Sequence, residues 1–131
     1  MTPEKLIQLA IDAMQGSYSP YSGYKVGAAL LCADGTVYTG HNIENASYTP
    51  TVCAERTAFF KAITDGKRDF SAIAICGGKD GVIEGFFPPC GVCRQVMREF
   101  CKDDFLVHMA GKDGAIKTRT LAQLLPESFS L

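Results

Sequence analysis

The stretch TPTVCAERTAFF (residues 49–60) predicts the start of a helix, and the prediction of the fold depends on that helix. Pro50 favours a helix start at this point. An apolar stripe at the spacing of one helical face runs Val52, Phe59 and Ile63. Glu55 and Arg56 fall on the same stripe. A carboxylate and a guanidinium that face a core are costly unless they are paired, bound to a metal or functional, so this helix carries a candidate site.

Strands and helices alternate on both sides of this helix, which is predicted to span 50–64. A first helix begins at Pro3 with Thr2 as its cap, and Asp34-Gly35 marks a hairpin. The predicted strands are VGAALLC, TVYTG, SAIAICGG, FLVHMA and, at an edge, AIKTRT. GVCRQVMREFC and LAQLLP supply the third and closing helices. The alternation predicts an α/β fold with three layers, α/β/α, around a central mixed sheet of about five strands.

Length and composition limit the class of protein. With 131 residues, 47% of them hydrophobic, the chain is expected to form one domain over 1–131. The balance of 13 basic and 14 acidic residues provides no basic track, so we expect no nucleic-acid partner. No secretory signal and no apolar run of ~18 residues is present, so we expect a cytoplasmic protein without membrane contact. Its six cysteines should then be reduced.

Three cysteines are candidate metal ligands. Cys90 and Cys93 form a CxxC pair, which is compatible with a metal site, a redox dithiol or a coincidence of spacing. Cys53, at the start of the preceding helix, adds a third thiol, and the positive ends of both helices favour thiolates. Three protein ligands with an open fourth position are typical of catalytic zinc, whereas structural zinc is closed by four. Neither His41, in a predicted loop, nor His108, in a strand, is favoured as a fourth ligand.

The charged neighbours of Cys53 fit this chemistry. Zinc with three thiolates has a formal charge of about −1, which opposes the acidification of bound water. Arg56 could offset that charge by donating hydrogen bonds to thiolate sulfurs. Glu55 could then act as general acid and base for the bound water. The alternative is an internal ion pair between the two side chains.

Several motifs in order resemble the small cytidine deaminases almost end to end. They are SPYSGYKVGAALL, GHNIENASY, CAERTAFFKA, SAIAI, PPCGVCRQVMREF and LLPESF. The resemblance implies one zinc ion per subunit on Cys53, Cys90 and Cys93, with hydroxide attacking C4 of cytosine. It implies that Glu55 protonates N3 and then carries the proton to the departing ammonia.

The resemblance also assigns substrate contacts. Asn42 and Glu44 would hold the ribose hydroxyls, and the N–H of Ala54 would bind the pyrimidine O2. Tyr24 stands where the family usually has a phenylalanine that packs on the base. Taken without the resemblance, HNIENASY would be interpreted as a polar loop.

A shared active site is the further implication of the resemblance. In the family four identical subunits assemble, and residues of one subunit reach the substrate of another. Ala46 and Tyr48 would contact a neighbour's ribose, and Phe129 would cover a neighbour's base. Taken alone, Phe129 could equally belong to a disordered end or plug the core.

The expected activity is zinc-dependent deamination of cytidine and 2′-deoxycytidine to uridine and 2′-deoxyuridine in pyrimidine salvage. One alternative is an aminohydrolase for a cytosine nucleoside antibiotic of the blasticidin type. A second is a nonenzymatic structural zinc module, which would need a fourth protein ligand. A third, a polynucleotide deaminase, would need the basic track that the composition lacks.

Overall fold

The structure, a computed structural model, describes residues 1–131. The elements in chain order are α1 (Pro3–Met14), β1 (Tyr24–Cys32), β2 (Val37–His41), α2 (Ala54–Thr64), β3 (Phe70–Lys79), α3 (Gly91–Phe100), β4 (Leu106–Ala110), β5 (Ile116–Thr120) and α4 (Leu121–Leu124). A short 3-10 turn, Lys112–Gly114, joins β4 to β5. This is the predicted order of helices and strands. None of the helices combines the length and apolar character needed to span a bilayer.

The five strands form one sheet in the order β2-β1-β3-β4-β5. β3 and β4 are parallel, and the other neighbouring pairs are antiparallel. The predicted mixed sheet is therefore confirmed, and β5 lies at the predicted edge. β3 is central and buried along most of its length, which explains why SAIAICGG is almost continuously apolar.

Helices cover both faces of the sheet, which confirms the three-layer arrangement. On one face α1 buries Leu6, Ala10 and Met14 against small strand residues such as Ala29 and Ala74. The opposite face has a larger core, to which α2 and α3 contribute. Its members include Phe59, Met97, Leu30, Ile73 and Val107.

Two glycines allow the helices to lie directly on the sheet. A Cβ atom on Gly27 would lie 2.0 Å from the carbonyl oxygen of Ala10 in α1. A Cβ atom on Gly40 would lie 2.7 Å from both the Ala54 carbonyl oxygen and the Ala58 nitrogen in α2. The first turn of α2 is therefore held against the end of β2.

Two predicted boundaries near the site are wrong. The second helix begins at Ala54 and not at Pro50, because Val52 exchanges two 3.0 Å backbone hydrogen bonds with Ile43 and so has an extended conformation. Cys53 is consequently the N-cap of α2. His41 is the last residue of β2 and not part of a loop, because its backbone pairs with Gly27 of β1.

Candidate active site

Three thiols from the starts of two helices lie together. Cys53 is the N-cap of α2, Cys90 is the N-cap of α3, and Cys93 is buried in the first turn of α3. The Sγ atoms of Cys53 and Cys90 are 3.7 Å apart, and those of Cys90 and Cys93 are 3.5 Å apart. All three sulfurs lie within 4.8 Å of one another. The CxxC pair and the distant cysteine thus form one cluster.

The sulfur spacing fits a tetrahedral metal. Two sulfurs bound at about 2.3 Å to one tetrahedral zinc ion are about 3.8 Å apart. The group of ligand atoms contains the three sulfurs and no imidazole or carboxylate. The ring of His41 lies beside its own chain, with Nδ1 3.1 Å from the Asn42 carbonyl oxygen, and Nδ1 of His108 lies 2.8 Å from Thr118 Oγ1. The cluster therefore offers three protein ligands.

Local electrostatics favour a thiolate at Cys53. The first N–H groups of a helix have no partner within the helix and give its N-terminus a positive potential. Hydrogen bonds from Cys93 and then from Arg56 and Cys90 lower the pKa of Cys53 to about 5, against the opposing effect of burial. The guanidinium contact is direct, with Arg56 Nη2 3.3 Å from Cys53 Sγ. Arg56 thus contacts the sulfur, and no ion pair joins it to Glu55.

Glu55 is a buried carboxyl group with a free acceptor atom. It is the second residue of α2, is only 3% exposed, and its Oε1 has no hydrogen-bond partner. Burial, reinforced by the charge of Cys53, raises the pKa of Glu55 to about 7. A carboxyl group that titrates near neutrality can both accept and donate a proton at working pH. The structure therefore places a buried carboxyl group with a near-neutral pKa two residues after Cys53.

Asn42 and Glu44 both hold the loop that precedes β1. The Asn42 side chain is buried, with Oδ1 3.0 Å from the Val26 nitrogen and in contact with Ser17 Oγ, while Nδ2 donates to the Tyr24 carbonyl oxygen at 2.8 Å. One of the two hydrogens on Asn42 Nδ2 is therefore still available to donate to a ligand. Glu44 Oε1 accepts backbone hydrogen bonds from residues 21 and 22 at 3.0 and 3.1 Å. Sequence analysis did not foresee these contacts.

Tyr24 lies at the start of β1, and the residue is 46% exposed. The Phe87 ring is 6.3 Å from it, centroid to centroid, and Lys79 Nζ is 5.6 Å from its centroid. Sequence analysis missed both neighbours. The pair of phenylalanines just before PPCGVC was the one available signal, since an aromatic close to a metal loop can line a pocket.

The remaining predicted contacts differ in exposure. Ala54, the first residue of α2, is fully buried. Ala46 is exposed, and Tyr48 and Phe129 expose 74% and 68% of their surface. A cavity of about 310 Å³ is lined by Tyr21, Ser22, Glu44, Tyr48 and Thr51. Glu44 and Tyr48 thus share a pocket, whereas Phe129 extends from the C-terminal segment.

Three thiols at two helix starts, beside a buried carboxylate and on this fold, define a zinc-deaminase type of site. The family model described as the cytidine and deoxycytidylate deaminase zinc-binding region matches residues 1–109. The chain belongs to that family.

Relatives match along nearly the whole chain. A cytidine deaminase of Sporosarcina psychrophila is 49% identical over 130 residues, which cover 99% of this chain and 93% of the relative. A cytidine deaminase of Halalkalibacterium halodurans is also 49% identical, and the match covers 99% of this chain and 96% of the relative. The crystal structure of a cytidine deaminase from Burkholderia pseudomallei superposes with a TM-score of 0.91 at 44% identity, covering 98% and 100% of the chains. A blasticidin-S deaminase of Bacillus cereus is more distant, at 30% identity over 131 residues.

Proposed function

We propose that the protein catalyses the hydrolytic deamination of cytidine and 2′-deoxycytidine to uridine and 2′-deoxyuridine, with release of ammonia. The observation that carries this proposal is the cluster of three sulfurs beside the buried and unpartnered Oε1 of Glu55. The names and identities of the relatives support cytidine over a blasticidin-type antibiotic.

Cys53, Cys90 and Cys93 would hold one zinc ion per subunit. Zinc in such a site supplies Lewis-acid activation of water. Three thiolates make the site electron-rich, and Arg56 counters this by withdrawing charge from the Cys53 sulfur through its hydrogen bond. The role of Arg56 is thus to hold and tune a ligand.

Glu55 moves two protons in the proposed reaction. It accepts the first from the attacking water as the oxygen bonds to C4, and delivers it to N3 of the pyrimidine. It then takes the second proton from the new C4 hydroxyl and gives it to the amino group. The C4–N bond breaks, ammonia leaves, and the product retains the oxygen at C4 and the hydrogen at N3. The near-neutral pKa of Glu55 suits both acceptance and release.

The nucleoside would be held by Glu44, Asn42, Ala54 and Tyr24. Glu44 and the remaining amide hydrogen of Asn42 are proposed to bind the ribose hydroxyls. The Ala54 N–H is proposed to bind O2, and Tyr24 to stack on the base. Since Asn42 bonds Ser17 and Glu44 bonds the nitrogens of residues 21 and 22 in the loop before β1, ribose binding and loop position are expected to be linked.

We also propose a homotetramer in which Ala46, Tyr48 and Phe129 complete a neighbour's site. The exposure of Tyr48 and Phe129 supports this assembly, because an interface would bury both aromatic residues. Coexpression of Glu55→Gln and Phe129→Ala chains tests the sharing. Mixed tetramers should contain sites with both residues intact and should exceed the activity of either variant alone. Equal activity would contradict a shared site.

The direct test is incubation of the purified protein with cytidine, with uridine, ammonia and zinc content measured together. We expect equimolar uridine and ammonia and one zinc per chain. Parallel assays with blasticidin S and with single-stranded DNA should show cytidine as the preferred substrate. Bound zinc without turnover of any substrate would favour a structural zinc module. We further propose that residues 1–131 act as one domain, in the cytoplasm, in pyrimidine salvage.

A further inference from the structure

Arg94, the residue after Cys93, connects three parts of the chain. Its backbone nitrogen donates to the Cys90 carbonyl oxygen at 3.0 Å, and its Nε donates to the Pro89 carbonyl oxygen at 2.8 Å. Its Nη1 donates to the Leu124 carbonyl oxygen at 2.5 Å. Arg94 therefore binds the peptide groups on both sides of Cys90 and ties them to the end of α4.

The loop before Cys90 needs hydrogen-bond donors from elsewhere in the chain. Pro88 and Pro89 have no backbone N–H, so neither can donate to the sheet or to a turn. Pro89 is fully buried, and its carbonyl requires a donor from elsewhere. Cys90 itself is exposed and makes no side-chain cap to α3. The position of its sulfur thus depends on contacts made by its neighbours.

α4, which accepts the hydrogen bond from Arg94, is itself anchored to the rest of the domain. Leu121 is fully buried, and its nitrogen donates to the Phe105 carbonyl oxygen at 2.9 Å. The last carbonyl groups of a helix have no partner within the helix, and Arg94 satisfies that of Leu124. The guanidinium fork can serve two separate carbonyls at once, which a lysine ammonium cannot do with the same geometry.

We infer that Arg94 is a positioning residue for zinc binding: it fixes Cys90 by clamping the Pro89 carbonyl to the C-terminal end of α4. This inference rests on the proposed zinc site. It assigns to the C-terminal segment a part in metal retention, in addition to any contact that Phe129 makes.

The test compares Arg94→Lys with Arg98→Lys in the full-length zinc-loaded protein. Arg98 is one turn later on α3 and bonds Asp103 Oδ1 at 2.6 Å, away from the cysteine loop, so the same chemical change there is a matched control. Zinc release to an excess of chromogenic chelator is followed by absorbance, and thermal unfolding is measured for the metal-free proteins. We expect Arg94→Lys to release zinc about tenfold faster than the parent, as loss of an outer partner of a metal ligand does. Arg98→Lys should release it at the parental rate.

A second variant separates a local effect on zinc release from a general loss of folding. Arg94→Gln can still donate to one of the two carbonyls and should also release zinc faster than the parent. Equal release rates for the Arg94 variants and Arg98→Lys, or faster release that merely follows a lower unfolding temperature of the metal-free chain, would overturn the inference while leaving the zinc site intact. A parent protein that binds no zinc would overturn the proposed function as well.

Discussion

Arg56 Nη2 lies 3.3 Å from Cys53 Sγ, one turn further along α2. The contact joins a permanent positive charge to a sulfur that hydrogen bonds already favour as a thiolate. A hydrogen bond to a ligand sulfur withdraws electron density from it and so affects the metal more than the fold.

Replacement of Arg56 by alanine should therefore leave zinc bound and reduce turnover. Loss of an outer partner of a ligand typically costs about 10–100-fold in activity. Zinc content and kcat for cytidine should be measured on the same preparation. Arg56→Lys, which keeps the charge but not the guanidinium fork, is the matched variant. Its kcat should lie between those of the parent and of Arg56→Ala. Parental kcat in Arg56→Ala would exclude a role for this hydrogen bond.

Glu55→Gln should abolish most activity, because the amide keeps the shape of the side chain but cannot accept a proton. General acid and base groups contribute about 10²–10⁴-fold, so a loss in that range is expected. Zinc content should stay parental since Glu55 is outside the ligand cluster.

Substrate binding helps to interpret the Glu55→Gln result. If the carboxylate only relays protons, binding of cytidine to the variant should remain measurable by calorimetry. Parental turnover in Glu55→Gln would exclude the proposed proton relay.

Most of the fold was predictable because its signals are local. Apolar periodicity defined the order of the elements, Asp34-Gly35 marked the β1–β2 hairpin, and LAQLLP indicated α4. The spacing of Cys90 and Cys93 likewise needed no knowledge of the rest of the chain. Such features depend on residues within a few positions of one another.

The missed features depend on distant partners. The start of α2 is displaced from Pro50 because Val52 pairs with Ile43, nine residues earlier. The assignment of Asn42 to ribose stays a prediction, but its hydrogen bonds from the Val26 nitrogen and with Ser17 were not foreseen. A polar loop motif shows which atoms are available but not which backbone groups will reach them.

Removal of zinc should change the reactivity of the thiols in a defined order. Cys90 is exposed, whereas Cys93 is only 1% exposed, so in the metal-free protein Cys90 should react with a thiol reagent in a fast phase, ahead of Cys93. Bound zinc should suppress that reaction, and activity should fall with the metal and return with one equivalent. Cys90→Ser provides the control, since its fast phase should contain one thiol fewer. A fast phase that is unchanged by zinc would argue against Cys90 as a ligand.

Gly40→Ala should destabilise the protein and disturb the start of α2. The added Cβ would meet backbone atoms of Ala54 and Ala58 at 2.7 Å, which only a shift of the helix can relieve. Overpacking of this kind typically costs about 1–3 kcal/mol. Urea unfolding measures the loss, and Gly85→Ala is the control because no atom lies within 4 Å of its added Cβ. Equal midpoints for both variants would show that α2 can move freely away from β2.

His108 should make stability depend on pH. The residue is 6% exposed, and burial lowers the pKa of its imidazole, with Glu4 opposing the shift. Below about pH 6.5 the unfolded chain therefore takes up a proton that the folded chain does not, so stability falls as the pH is lowered toward the folded pKa. One proton contributes at most about 1.4 kcal/mol per pH unit. Urea unfolding at pH 7.5 and 5.5 should show a smaller loss in His108→Gln, which does not titrate but can still bond Thr118. Identical losses in the parent and this variant would show that His108 takes up its proton equally in both states.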